Sequence, residues 1–515
     1  MSVHSPPRPV TRAARPPGGG PVPRTVSNGL VSAVAVTTLS AVLVLLVPNL
    51  RHWLMVPVTI GGALVATDAV GWLLRRTDLF DPRACLGLFG FHFFYVAPVL
   101  QVALDHWMKL AYDPPDWPEA VGALATLNAV GLAVYRCVVG VPHRGGARRS
   151  ARRLDLPAFH RIGLVAVVVS LLAFAAEVVM FGGLSGFLTV MTGTLKRPEL
   201  AGLGWLIVVA EAFPMLVAAL LLVRHRAVLA RRPGLLLLLM LGLLVTQFVV
   251  GGLKGSRSTT LWPVLLCLMI VHLLVRRISR RTVCVLAVLG VAYLYGYGIY
   301  KTAGTDVLDI PRGDRSLTEM TTETGRDLPT LLTGDLGRTD VQAVLLDRHL
   351  HGDARPQGIT YLGDLAMLVP RALLPERPPS KVEVGTNLVY GPARLEAGYP
   401  ASKVYGLAGE AMMNFGPLGG VASFVVLGLV VRAVRRYYLH ARRTAEIAPK
   451  LLAPLLWNLA LLPLSDLDNT LWFMVKYAAP LALVVLLATR WRPGPALARS
   501  GPARPVAGRH RAAGG

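Results

Sequence analysis

Residues 234–252 read GLLLLLMLGLLVTQFVVGG, an apolar run without one charged side chain. A helix of this length spans about 30 Å, which matches the hydrocarbon core of a bilayer. Charged residues appear only beyond its ends, at Arg232 and Lys254. The run therefore predicts a membrane-spanning helix.

Similar runs recur along the chain. Of its 515 residues, 53% are hydrophobic and only 16% are charged, whereas about a quarter are charged in a typical soluble domain. Such a chain has too little polar surface to enclose several soluble cores. The sequence predicts an all-α polytopic membrane protein with about twelve transmembrane helices. These are expected at residues 29–48, 53–74, 84–104, 118–139, 161–182, 201–223, 234–252, 259–275, 282–300, 411–434, 449–464 and 471–489.

The charge distribution predicts the topology. A net charge of +24 would favour nucleic-acid binding in a soluble protein, but here the basic residues are concentrated in alternate connections. Those connections and both tails hold 34 basic residues and four acids. By the positive-inside rule they lie in the cytoplasm, with both termini, and the helices cross the cell membrane. The expected partner of the protein is the lipid bilayer, and no nucleic-acid partner is expected.

This topology divides the chain into five parts. They are a cytoplasmic tail (1–28), helices 1–9 (29–300), an extracytoplasmic loop (301–410), helices 10–12 (411–489) and a second cytoplasmic tail (490–515). The loop holds 12 basic and 15 acidic residues. Its segments 341–350 and 361–374 mix apolar and charged residues at helical spacing, which predicts amphipathic helices on the bilayer or on the bundle. The proline-rich segment 370–379 is expected to be irregular.

The turn after residues 234–252 reads GGLKGSRS, residues 251–258. Small residues permit a tight turn, and backbone N–H groups beside a helix start bind anions well. Lys254 and Arg257 would add charge for a phosphate group. The alternative is that both are interfacial anchors whose stems lie along the bilayer.

Two further loop stretches carry candidate chemistry. Arg371 and Arg377 lie in the proline-stiffened segment, which would hold a guanidinium in place, although both also fit a solvated loop. Glu410 opens the tenth helix, with Asn414 one turn later. Partial desolvation there would make Glu410 a general base, whereas the bland alternative is an acid favoured by the helix dipole.

Several other ionisable residues have two interpretations. Asp68, Glu177 and Glu211 fall inside predicted helices, where they are either functional or hydrogen-bond partners within the bundle. His349 and His351 could bind metal, but surface histidines are the favoured interpretation because a third ligand is not evident. The sequence predicts no metal site and no cofactor.

Together these stretches resemble the Wzy-type oligosaccharide repeat unit polymerases, which include O-antigen and exopolysaccharide polymerases. The resemblance rests on short motifs in residues 84–434. They are the Gly-Ser-Arg turn ending at Arg257, Arg338-Thr-Asp340, the run Val369–Pro378, the helix start Gly409–Gly419, and the segment Phe181–Phe187 that leads to Arg197. Arg377 stands where the family more often has lysine.

The resemblance implies transfer of a growing glycan from undecaprenyl pyrophosphate onto the next lipid-linked repeat unit, outside the cytoplasmic membrane. It implies Glu410, or Asp340 in its place, as the catalytic base. Cationic residues would hold the pyrophosphate. The substrate-binding set is Lys254, Arg257, Arg338, Arg371, Arg377, Arg197 and Asn414. A flippase and a chain-length regulator are further implied partners, and no cofactor is required.

Three other functions compete with the polymerase. A ligase that moves the glycan to another acceptor shares this design. A polyprenyl-phosphate-sugar glycosyltransferase needs acids in the first external loop, and residues 48–52 contain none. A lipid-linked oligosaccharide flippase would use Asp68, Glu177 and Glu211 along a path, but it has no need of a large one-sided loop.

Overall fold

The computed structural model describes residues 24–108, 110–141, 152–192, 204–254, 256–352, 357–370, 373–397 and 403–491. Twelve of its helices are long and apolar enough to cross a membrane, which confirms the predicted all-α polytopic class. We number these spans 1 to 12 in chain order. They are Asn28–Leu46, Met55–Leu73, Pro82–Ala103, Trp117–Gly140, Leu156–Met180, Gly204–Arg224, Pro233–Lys254, Arg257–Val275, Arg280–Val307, Gly406–Arg443, Ile447–Leu464 and Leu467–Leu487.

Local capping explains where several spans begin. Asp155 precedes span 5, and its side chain accepts a hydrogen bond from the Ala158 N–H, with proline in the first helical turn. Asp116 caps span 4 in the same way, and Ser279 caps span 9. A capping oxygen satisfies one of the N–H groups left open at a helix start. Span 5 therefore starts five residues earlier than its apolar pattern indicated.

One end of the bundle, the tail face, carries the connections that were predicted to share one side of the membrane. A short strand, Arg152–Leu154, pairs antiparallel with Thr489–Trp491. Arg153 bonds Glu446 at 3.1 Å. Asp78 accepts ion pairs from Arg277 at 3.0 Å and Arg442 at 3.1 Å. The segments around 78, 153, 277, 442 and 490 thus lie together, as the alternation of basic connections predicts.

The opposite end, the loop face, is built on the connection between spans 9 and 10. Ala111 N–H, between spans 3 and 4, donates to Val389 O at 3.1 Å. Lys381 bonds Asp466, between spans 11 and 12, at 2.9 Å. The large loop therefore runs from 308 to 405 in the structure and covers this end of the bundle.

The loop is largely helical. Both predicted amphipathic helices are present, and the first is packed on the bundle, with Val341, Ala343, Val344 and Leu345 buried. The second ends at Ala366, earlier than expected. Residues 373–379 have no regular structure, as the prolines indicated. The loop helices are Asp309–Arg312, Leu317–Thr324, Thr339–Leu350, Ile359–Ala366, Lys381–Tyr390 and Pro392–Glu396.

Span 10 is interrupted near its start. Gly416 adopts φ 71° and ψ −164°, and Pro417 follows it. Positive φ favours glycine, and proline cannot donate a hydrogen bond to the preceding turn, so the helix kinks here. Residues 406–415 consequently form a separate helical segment, on which Glu410 and Asn414 are buried beneath the loop.

Candidate functional site

Basic side chains from span 8 and the large loop converge at the loop face. Arg257 Nη1 lies 2.7 Å from Asp335 Oδ2, and Arg326 Nη1 lies 3.5 Å from the same oxygen. Burial opposes the charge on Asp335, but Arg257 and Arg326 outweigh this effect and lower its pKa. Arg338 and Lys403 also act on these groups electrostatically. We call Arg257, Arg326, Arg338 and Lys403 the cation cluster.

Asp340 is the second acid beside this cluster. It is buried, and its Oδ1 accepts a hydrogen bond from the Val341 N–H at 2.7 Å. Burial raises the pKa of Asp340, while the Val341 N–H, Lys403 and Arg338 partly offset that effect. A carboxyl with a raised pKa is a better proton acceptor once ionised than one held strongly as an anion. Asp340 and Asp335 thus differ in chemistry although they share neighbours.

The Arg338 guanidinium is bonded to backbone oxygens beside Asp335. It donates to the backbone oxygens of Asp335 at 2.8 Å and Gly334 at 3.2 Å. Burial lowers its pKa from the ordinary value, although an arginine remains charged in such a site. These bonds hold the turn before the helix Thr339–Leu350, so Arg338 fixes the backbone next to Asp335.

Lys381 anchors the loop to the turn between spans 11 and 12. Its ammonium, which is 0% exposed, lies 2.9 Å from Asp466 Oδ2 and 2.8 Å from Asp468 Oδ2. It also donates to Lys403 O at 3.1 Å. Asp466 Oδ2 in addition accepts from the Tyr405 N–H at 2.8 Å. This buried network joins the loop, the start of span 10 and the start of span 12.

Glu410 and Asp364 form a buried carboxyl pair next to Lys381. Glu410 Oε2 accepts from the Leu467 N–H at 2.7 Å, and Asp364 Oδ1 accepts from the Lys381 N–H at 3.2 Å. The two carboxyls are within hydrogen-bond contact of each other. Burial raises the pKa of Asp364, opposed by its bond with Glu410. Adjacent buried carboxyls titrate as a unit, because two negative charges in contact repel.

The Asp364 carboxyl gives a testable pH dependence of stability. Because its folded pKa is raised above the unfolded value of about 3.9, its contribution is complete below that value and is lost as the pH rises through the folded pKa. We expect the melting temperature of Asp364→Asn to depend less steeply on pH above about 4 than that of the wild type. Asn retains the acceptor for the Lys381 N–H.

Thermal unfolding between about pH 4 and 8 measures this slope. Asp314→Asn, on an exposed turn of the same loop, is the matched control and should follow the wild type. Equal slopes in wild type and Asp364→Asn would show that the carboxyl titrates alike in the folded and unfolded chains.

Two predicted substrate-binding residues have structural partners. Asn414 is buried, and its amide donates to Thr360 Oγ1 at 2.6 Å and Glu410 O at 2.9 Å. It thereby attaches the loop helix Ile359–Ala366 to span 10. Arg377 donates to the backbone oxygen of Val369, which closes the proline-rich segment on itself.

Lys254 fits neither of its two sequence interpretations. Its ammonium, whose side chain is 6% exposed, lies 2.6 Å from Glu177 Oε1 and 3.2 Å from Glu211 Oε1. Glu211 also pairs with Lys476 at 2.5 Å. Lys254 is therefore a buried ion-pair partner, and neither a solvent-facing phosphate ligand nor an interfacial anchor. Arg257, by contrast, pairs with Asp335 of the large loop.

The remaining candidate residues are Asp68, two loop histidines, Arg197 and Arg371. Asp68 pairs with Arg83 at 2.9 Å and Arg136 at 3.0 Å, which fits its interpretation as a bundle partner. His349 is buried rather than a surface histidine, whereas His351 is exposed. Arg197 and Arg371 lie outside the described residues.

Sequence reasoning did not single out several members of this site. Asp335 and Asp364 entered the prediction only as acids of the large loop, and Arg326 and Lys403 only as its cations. Asp466 and Asp468 lie in the predicted connection between the last two helices. A usable signal exists at residues 464–468, LSDLD, since two acids in a short connection between apolar helices need a buried partner or solvent. That this partner is Lys381, 85 positions away from Asp466, is a tertiary fact that local pattern does not contain.

Comparison of the chain with family models, curated proteins and solved structures finds no match. The function proposed below is therefore based on the site and on the motif resemblance.

Proposed function

We propose that the protein polymerises undecaprenyl-pyrophosphate-linked oligosaccharide repeat units into a cell-surface polysaccharide, on the outer face of the cytoplasmic membrane. The observation that carries the proposal is the convergence of Arg257, Arg326, Arg338 and Lys403 around Asp335 and Asp340. These four cations outnumber the two acids that they surround, Asp335 and Asp340, while Asp466 also acts on Arg338. Such a cluster suits a pyrophosphate, whose developing charge it would stabilise as the glycan leaves.

The proposed reaction is a glycosyl transfer. An acceptor sugar hydroxyl attacks the anomeric carbon of the donor glycan, and the bond from that carbon to the pyrophosphate oxygen breaks. The electron pair leaves with the pyrophosphate, which Arg257, Arg326 and Lys403 bind. The hydroxyl proton passes to a carboxylate. The lipid tails remain between the spans, in the bilayer.

Asp340 is the favoured base. Asp335 is more accessible, but its two arginine partners lower its pKa and make it a weak proton acceptor. Glu410 is held in its pair with Asp364 and by the Leu467 N–H, and its contacts are with Asp364 and Leu467 rather than with the cation cluster. Asp340 is 1% exposed, so this assignment requires the loop to move off the carboxyl when the acceptor binds.

A flippase is the second candidate, favoured by one observation. Glu177, Lys254, Glu211 and Lys476 form a buried charge network among the spans, and intramembrane charges often line transport paths. The network is neutral and closed on itself. The cation cluster lies instead around Asp335 and Asp340 of the large loop, where a transferase needs it. An O-antigen-ligase-type transferase would share this site and differ only in its acceptor.

Arg257→Ala is expected to raise the donor KM about 10- to 100-fold, the effect of removing one charge-assisted hydrogen bond. Its guanidinium is the member of the cation cluster that span 8 contributes, and it bonds Asp335 at 2.7 Å. The matched control is Arg312→Ala, an exposed loop arginine that pairs with Asp309 at 3.6 Å. The two variants are compared by polymerisation rate against donor concentration. An unchanged donor KM in well-expressed Arg257→Ala would exclude Arg257 from pyrophosphate binding.

The activity itself is tested with purified protein in lipid nanodiscs and purified lipid-linked repeat units. We expect a ladder of lipid-linked oligomers that lengthens with time, without a nucleotide sugar. The positive control is a second enzyme that acts on the same lipid-linked repeat units and shows that they are intact. Repeat units that this enzyme converts but that never lengthen with the purified protein would contradict the polymerase assignment.

A further inference from the structure

A neutral network of four charges lies at the loop-face ends of spans 5, 6 and 7, where span 7 ends at Lys254. Lys254 bridges Glu177 at 2.6 Å and Glu211 at 3.2 Å, and Lys476 of span 12 bonds Glu211 at 2.5 Å. Both acidic side chains are 0% exposed. Two positive and two negative charges cancel, so removing one member leaves a buried charge without compensation.

The end of span 7 is packed closely against the network and against neighbouring spans. A Cβ atom added at Gly251 would lie 2.9 Å from Glu211 Oε2, so glycine lets the backbone approach this carboxylate without a shift of the Glu211 side chain. Tyr297 of span 9 donates from its hydroxyl to Gly252 O at 2.5 Å. Leu253 is buried against Phe187 and Met191. The end of span 7 is thereby fixed to spans 5, 6 and 9.

Two residues separate Lys254 from Arg257, the first residue of span 8. Arg257 bonds Asp335 of the large loop, which is not a member of the network, at 2.7 Å. Thr259 and Thr260, one turn further along span 8, are buried. Lys254 and Arg257 are therefore three positions apart in sequence, and each is held by a separate buried or half-buried ion pair.

We propose that Lys254 is a positioning residue: clamped by Glu177 and Glu211, it sets the place of Arg257 in the cation cluster and does not itself touch the pyrophosphate. This inference rests on the proposed function for the identity of the anion. The network would then affect donor binding only through the position of Arg257, without contact between Lys254 and the donor.

Variants that differ in charge balance distinguish a positioning role of Lys254 from a role as a direct phosphate ligand. Lys254→Met leaves Glu177 without its cation, whereas Lys254→Met/Glu177→Gln is neutral again, with Glu211 still paired to Lys476. A residue that positions through the network is rescued by the second substitution. A direct phosphate ligand is not rescued, because its ammonium is gone in both variants.

The experiment measures the Kd of undecaprenyl pyrophosphate for the purified full-length protein in nanodiscs. We expect Lys254→Met to weaken binding about tenfold, no more than Arg257→Ala does. Lys254→Met/Glu177→Gln should bind within about threefold of the wild type. Lys254→Met/Arg257→Ala should bind no more weakly than Arg257→Ala, because residues that act through one another are not additive.

Glu177→Gln keeps the test decisive if a Lys254 variant does not fold. If Lys254 is a direct phosphate ligand, neutralising Glu177 would free its ammonium and tighten pyrophosphate binding. If Lys254 positions Arg257, the loss of this ion pair would weaken binding. Tighter binding by Glu177→Gln, or a folded double variant that binds as weakly as Lys254→Met, would overturn the positioning role alone. No binding by the wild type would overturn the proposed function, and with it this inference.

Discussion

Lys381→Met is expected to lower the stability of the folded protein by about 3–5 kcal/mol, the usual cost of leaving buried charges unpaired. Methionine nearly preserves the length of the side chain but removes the ammonium that lies within 2.9 Å of Asp466 and 2.8 Å of Asp468. Two buried carboxylates would then face each other without a cation. Thermal unfolding, together with protease cleavage of the large loop, measures the effect.

The wild-type contact should persist across the physiological pH range. Burial opposes the charge on Lys381, but Asp466 and Asp468 outweigh it and raise the pKa of the ammonium. Its contribution is therefore present below the unfolded pKa of about 10.4 and is lost only as the pH rises through the higher folded value. The loop should stay attached from pH 5 to about 9.

Two variants frame this test. Arg315→Met removes an exposed ion pair of the same loop, with Glu323 at 2.9 Å, and should change stability by less than about 1 kcal/mol. Lys381→Met/Asp466→Asn/Asp468→Asn removes the charge imbalance and should recover part of the loss. A Lys381→Met protein with wild-type unfolding temperature and wild-type proteolysis would refute the anchoring role.

Asp340→Asn is expected to reduce kcat by about 10²- to 10⁴-fold, the range for loss of a general base. Asparagine keeps the acceptor for the Val341 N–H, so the fold and the donor KM should be preserved. Because the base acts when ionised, wild-type activity should rise with pH through the Asp340 pKa, which burial raises. The variant should lose this rising limb.

Glu410→Gln is the comparison that assigns the base. Glutamine still accepts the hydrogen bond from the Leu467 N–H, so this variant also preserves a local contact. Loss of polymer in Glu410→Gln, with full activity in Asp340→Asn, would transfer the role to Glu410. Loss in Asp340→Asn alone, with unchanged donor affinity, supports the assignment made here.

The membrane architecture was predictable because each span carries its own signal. A run such as 234–252 is apolar throughout its length, and this property does not depend on distant residues. The ends were less predictable, because caps such as Asp155 extend a helix beyond its apolar part. Span 10 shows the same limit, since residues 406–410 were assigned to the loop.

The site was predictable only in part. Arg257, Arg338 and Asp340 stand in short motifs, and the structure brings their segments together with Lys403. The role of Lys254 depends on Glu177 and Glu211, which lie on other spans. Sequence spacing does not specify which buried acids contact which cation. The two interpretations of Lys254, phosphate ligand and interfacial anchor, therefore did not include its ion pairs with Glu177 and Glu211.

The polymerase assignment is tested most directly by the lipid intermediates in cells that lack this protein. We predict that single repeat units on undecaprenyl pyrophosphate accumulate on the outer face of the cytoplasmic membrane, where a membrane-impermeant glycan label reaches them, and that long polymer disappears. Accumulation on the inner face, out of reach of the label, would contradict the polymerase and favour the flippase.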